Sequence, residues 1–115
     1  VDNPHLRPVP SVTLDSMAWV YILRCADGSY YVGSTTHLEY RGWQHQNGEG
    51  AEYTKRRRPV ELVFAHETAS PAEAFGLEKQ IQGWRRAKRE ALIRGEFHLL
   101  RELASRRRRR DGGGG

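Results

Sequence analysis

The chain has 115 residues, which points to a single domain, and 37% of them are hydrophobic, enough for one modest core. The net charge of +5 makes a polyanion the leading partner class, either nucleic acid or an anionic membrane surface. The lone cysteine, Cys25, excludes an internal disulfide partner and a Cys-rich zinc site, and it suits a reducing compartment. No apolar run approaches the roughly 18 residues that cross a bilayer. Met17 to Leu23 lacks the basic segment of a signal peptide, so a soluble, cytoplasmic protein is expected.

Residues 1–16 carry Pro4, Pro8 and Pro10 with little apolar periodicity and read as a disordered lead-in, with Met17 a natural start. Trp19 to Arg24 is a β-rich run and Tyr30 to Gly33 a second, joined through the hairpin signal Asp27-Gly28. Thr36 or its neighbour caps a helix from about Leu38 to Gln46, which Gly48 and Gly50 end. Lys55 to Arg58, then Pro59, read as an exposed basic loop. Glu61 to His66 is a third strand with Leu62 and Phe64 on one side and Val63 on the other.

Ser70, Pro71 and Glu73 supply an N-cap, a proline at the first helical position and a reciprocal acid. The spacing of Ala74, Leu77, Ile81, Trp84 and Ala91 predicts one long helix from Pro71 to about Ile93. Glu96 to Ala104 adds a short final helix, and residues 106–115 form a low-complexity Arg/Gly-rich tail. The order β-β-α-β-α-α predicts an α+β domain over residues 17–105, a small antiparallel sheet with helices packed on it.

Several residues can carry phosphodiester chemistry. In-line attack by water crowds negative charge onto the phosphate and the departing oxygen, so a catalyst needs a base, a cation and a Lewis acid. Arg41 and His45, four residues apart, project from one helical face. Arg41 can grip a phosphate with two donors, and His45 titrates near neutrality. Tyr21 and Tyr31 are phenols on adjacent hairpin arms. Glu78, beside Leu77 at the edge of the apolar stripe, can hold a hard divalent cation, with water and phosphate oxygens completing the shell. Taken singly, each has an ordinary alternative: strand tyrosines pack, and helical Arg, His and Glu are solvated or ion-paired. A second layer is basic: Lys55, Arg56, Arg57 and Arg58 before the third strand, and Arg85, Arg86, Lys88 and Arg89 on the long helix. With Trp43, Tyr53 and Trp84 interleaved, a groove lined this way tracks a phosphate backbone.

Together the ordered series resembles the GIY-YIG endonuclease superfamily, and most closely its small stand-alone bacterial proteins. Trp19-Val20-Tyr21 stands for the first motif and Tyr31-Val32-Gly33 for the second, with Arg41, His45 and Glu78 following in order. The resemblance implies a three-stranded antiparallel sheet flanked by helices, and metal-dependent DNA cleavage with one bound Mg2+ or Mn2+. By that analogy Tyr21 activates the water, directly or with His45 accepting its proton. Tyr31 orients phosphate or water, Arg41 neutralises developing charge, and Glu78 binds the metal. Trp19 replaces the name-giving glycine and Val32 an isoleucine. The asparagine that many family nucleases carry about a dozen residues past the glutamate is absent, and Lys88 stands in that neighbourhood as a substitute. The expected substrate is structured or damaged DNA, and a basic groove accepts RNA as well. The competing readings are a non-catalytic nucleic-acid-binding module on the same fold and an interaction domain for an acidic protein.

Overall fold

The computed structural model describes residues 17–101. The lead-in over residues 1–16, the tail over 106–115 and the last helix beyond Arg101 lie outside the described residues. The strands are β1 (Ala18–Arg24), β2 (Tyr30–Thr35) and β3 (Glu61–Thr68). The helices are α1 (Leu38–Gln46), α2 (Glu52–Lys55), α3 (Pro71–Gln82) and α4 (Arg86–Ile93). Residues 98–101 are helical again.

The strands form one antiparallel sheet in the order β2-β1-β3. The central strand, β1, is covered on both faces. That is why its sequence is a continuous apolar run instead of an alternating one. Val20 and Ile22 point to one face and join Val32, Phe64, Leu77, Ile81 and Leu92 in the main core under α3 and α4. Tyr21 and Leu23 point to the other face and join Cys25 and Val60 in a smaller cluster, with Tyr31, Leu38 and Ala65 against it. Cys25 is thus a small buried residue, its thiol pKa raised chiefly by burial. No described helix is long and apolar enough to cross a membrane.

The local signals act as expected at several points. Gly28 adopts a φ of 84° in the turn between β1 and β2, and the Asp27 carboxylate accepts from the Ser29 backbone N–H at 3.0 Å. The Ser70 hydroxyl accepts from the Glu73 N–H at 3.1 Å. The Glu73 carboxylate reaches back to the Ala69 N–H at 3.3 Å.

The N-cap of α1 is His37, the neighbour of Thr36, with no side-chain cap bond of its own; its N–H donates to Thr35 Oγ1 at 3.0 Å. Other details differ from the sequence expectation. Lys55 closes the short helix α2 instead of opening a loop. In β3 the pairing shifts, so that Ile22 faces Phe64 while Leu23 faces Leu62. Val63 is the extra residue of this bulge; it packs against the main core while Leu62 turns to solvent.

The predicted long helix is two helices, broken at Gly83, Trp84 and Arg85. Gly83 closes α3, Trp84 packs against the main core, and Arg85 is extended (ψ 157°) as the N-cap of α4. A continuous helix over Pro71–Ile93 would run roughly 34 Å, longer than the roughly 20–27 Å that strands of this length span. Turning the chain at Gly83 keeps both halves over the sheet.

Candidate active site

Tyr21 is paired with Gly33 across β1 and β2. A Cβ at Gly33 would stand 2.6 Å from the Tyr21 hydroxyl and 2.7 Å from the ring carbon bearing it. Glycine at that position therefore lets the Tyr21 ring lie flat across β2 and deliver its hydroxyl toward the outer edge of the sheet. There it meets His45, buried on the inner face of α1, with Tyr21 Oη and His45 Nε2 2.8 Å apart.

The other imidazole nitrogen, Nδ1, is 2.7 Å from Thr54 Oγ1, and the Thr54 hydroxyl in turn donates to the Ala51 carbonyl at 3.0 Å. A hydroxyl has one proton. Since Thr54 gives its proton to a carbonyl that can only accept, it must accept from His45 Nδ1–H. This leaves Nε2 with a free lone pair, so the Tyr21 hydroxyl donates to it. The network assigns the tautomer. Gly50 completes the cradle: a Cβ there would stand 2.5 Å from Nδ1.

Electrostatics agree with this assignment. Burial, and then the positive charge of Arg41, push the His45 pKa down to about 4, so the ring is neutral and able to accept a proton. Burial pushes the Tyr21 pKa up to about 12. The Tyr31 phenol and, more weakly, the Glu78 charge add to the rise, and Arg41 opposes it. In the free site the proton therefore rests on Tyr21. Arg41 also holds Gln44 Oε1 at 3.0 Å. The Tyr31 ring closes the group, its centroid 5.0 Å from that of His45 and 6.4 Å from that of Tyr21.

Glu78 lies on α3, over the main core, and its carboxylate meets β2: Oε1 accepts from the Ser34 hydroxyl at 2.6 Å and Oε2 from the Gln82 amide at 2.9 Å. Gln82 also donates to the Val32 carbonyl at 3.1 Å and ties α3 to that strand. Oε2 also lies 3.7 Å from the Lys79 ammonium, Oε1 keeps a free lone pair, and the side chain is 13% exposed. Among the described residues there is no group of three His, Cys, Asp or Glu side chains placed to hold a metal ion. The donor available is one hard carboxylate at a solvent edge, which fits an oxygen-loving divalent cation whose other ligands are water and phosphate.

The basic residues divide. Arg57 is anchored to Asp27 Oδ2 at 3.0 Å, to the Tyr53 carbonyl at 2.9 Å and over the Tyr53 ring at 3.9 Å. Arg58 donates to the carbonyls of Lys55 and Gln46. Lys88 lies over the Trp84 ring at 4.5 Å. Lys55, Arg56 and Arg85 are exposed and unpaired among the described residues. Arg89 lines a hollow beside Tyr31. Arg86, also in the basic stretch, pairs with Glu90 at 3.1 Å and covers Tyr30.

The GIY-YIG catalytic domain family matches residues 17–91. The chain belongs to the GIY-YIG family. Relatives of this GIY-YIG domain include the UPF0213 protein of Streptococcus pneumoniae serotype 4, 40% identical over 80 residues, covering 70% of this chain and 81% of the relative. The UPF0213 protein NP_0776A of Natronomonas pharaonis is 45% identical over 78 residues, covering 68% of this chain and 92% of the relative. A solution NMR structure of an E. faecalis protein superposes with a TM-score of 0.50 at 36% identity, covering 72% of this chain and 88% of that one. Membership implies the nuclease superfamily, nucleic acid as substrate in general and a divalent cation of unspecified identity.

Thr54, Gln82 and the cradle role of Gly50 had not been singled out from the sequence. Gln82 follows Glu78 by four residues and so shares its helical face, which is a usable signal. Thr54 and Gly50 carry none, because their partner is reached only when the segment after α1 folds back.

Proposed function

We propose that this GIY-YIG domain is a metal-dependent endonuclease that hydrolyses phosphodiester bonds in DNA. The observation that carries the reading is the buried relay Tyr21–His45–Thr54. It is a phenol whose only described acceptor is the free lone pair of a neutral imidazole, held in one tautomer and set beside a guanidinium. Any buried phenol finds an acceptor; what supports the reading is that this acceptor is a neutral imidazole, which can take the proton away.

Water approaching the Tyr21 oxygen passes a proton to it as Tyr21 passes its own to His45 Nε2. Moved together, the two protons avoid a full phenolate, which the raised Tyr21 pKa disfavours. The new bond forms between water oxygen and phosphorus, and the bond to the leaving oxygen breaks in line with it. Arg41 neutralises the charge that gathers on the non-bridging oxygens, and Tyr31 orients the phosphate. Phosphate pairing with Arg41 also offsets the repulsion that depresses His45 and so makes it a better acceptor. Glu78 would hold Mg2+ or Mn2+, which supplies Lewis-acid stabilisation of the phosphate and leaving oxygen. Of the basic residues, Lys55, Arg56, Arg85 and Arg89 supply the cations that follow the strand, while Arg57, Arg58 and Lys88 are held by groups of the protein beside them. The substrate class proposed is structured or damaged DNA.

Cleavage of plasmid and branched DNA with Mg2+ or Mn2+, against chelator, tests this. Wild type nicks only with metal, and Glu78→Gln and Arg41→Ala lose at least about a hundredfold in rate while still folding and binding. A wild type that binds DNA but nicks with no metal would instead be a binding module.

A further inference from the structure

Beside the relay, on the outer edge of β2, lies a hollow of about 170 Å³ lined by Tyr30, Tyr31, Val32, Tyr53, Gln82 and Arg89. Its polar groups are unequally committed. The Tyr30 hydroxyl donates to Glu90 at 3.0 Å, and the Gln82 amide nitrogen is spent on Val32 and Glu78. Arg89 is different: its Nε is buried with no hydrogen-bond partner, and its guanidinium forms no ion pair with a described carboxylate. A buried donor left unmade is costly, and one on a permanent cation more so. The acid next to it in sequence, Glu90, is taken by Arg86 and Tyr30.

We infer that Arg89 is a substrate-binding residue whose guanidinium, with the Tyr53 hydroxyl, holds one backbone phosphate of the bound strand in this hollow. The inference deepens the nuclease reading and rests on its nucleic-acid part. A phosphate suits the place because the groups left free, a guanidinium and the Tyr53 phenol, can both donate to a single oxyanion. The neighbouring cation does not compete, since Lys88 is turned onto Trp84. Tyr31 lines both the hollow and the relay, so a phosphate held here fixes the strand's register against Tyr21.

The test uses the full chain carrying Glu78→Gln, so that binding is measured without cleavage. Single neutral methylphosphonates are placed in turn along a DNA oligonucleotide. At one position the neutral linkage weakens binding roughly tenfold or more with Arg89 present, and that penalty disappears in Arg89→Gln. In the cleaving protein Arg89→Gln lowers kcat/KM by a similar factor, and Arg89→Lys restores part of it. If Arg89→Gln is unfolded by circular dichroism, Arg89→Lys carries the same cycle with a reduced penalty. Methylphosphonate penalties unchanged at every position in both variants overturn the proposal. So does an abasic nucleotide that replaces the phosphate as the Arg89-dependent position, which would assign the hollow to a base. A wild type that binds but does not cleave sinks the nuclease reading and leaves this cycle intact.

Discussion

The Thr54 hydroxyl is where a single proton decides the chemistry. Because it donates to Ala51, His45 must donate through Nδ1 and accept through Nε2. Thr54→Val keeps the shape and removes the acceptor, leaving a buried N–H unpaired at a cost of about 1–3 kcal/mol. We expect loss of cleavage beyond the loss of folded protein, recovery in Thr54→Ser, and a change in the imidazole 15N shifts of His45 that reports the other tautomer. Unchanged shifts and unchanged rate in Thr54→Val would show that Thr54 does not set the ring. His45 also links stability to pH. Its folded pKa, about 4, lies below the ordinary 6.5, so the unfolded chain binds the proton first. Its contribution is complete above about pH 6.5 and is lost as pH falls toward 4, by on the order of 3 kcal/mol. Denaturant unfolding at pH 7 and pH 5 checks this: wild type loses stability between them, and His45→Gln loses less.

At the scale of elements, the site depends on how α3 is held over the edge of β2. The Ser70 cap, the proline behind it and Glu73 start the helix, and the Ser34–Glu78 and Gln82–Val32 bonds fasten its middle and end. Ser70→Ala removes one capped N–H at about 1 kcal/mol, which lowers Tm by roughly 4–8 °C in a domain of this size. A thermal melt showing no shift would mean that the helix start is held by its packing alone. Ala74, Leu77 and Ile81 lock one face of α3 into the core. Glu78 flanks that stripe, one residue after Leu77 and three before Ile81, so its carboxylate lies at the edge of the packed face.

For the molecule as a whole, the +5 charge is divided between work on the protein and work on a partner. Arg57 and Arg58 are structural cations, whereas Lys55 and Arg56 face solvent. Each phosphate neutralised adds about 0.9 to the slope of log affinity against log salt. Replacing both Lys55 and Arg56 with alanine should therefore flatten that slope by up to roughly 2 with little change in Tm. Arg57→Ala should lower Tm instead, because it removes the Asp27 and Tyr53 contacts. A slope identical to wild type in the double variant would take the segment before β3 out of the binding surface.

What the chain alone determined was the kind and order of elements and the set of reactive groups. Apolar runs, a turn signal at Asp27-Gly28, the Ser70 cap and the succession Tyr21, Tyr31, Arg41, His45, Glu78 are local patterns, and local patterns are written residue by residue. The tertiary structure decided what distance along the chain hides. The short span of the strands goes with a break in the predicted helix at Gly83, and the bulge at Val63 overrode simple alternation in β3. Thr54 came to hold an imidazole nine residues away, and Glu78 came to accept from Ser34, 44 residues away on β2. Periodicity specifies which side of an element is buried. Only packing specifies which two buried groups meet, because hydrogen bonds and charge act over a few ångströms of space whatever the separation in sequence.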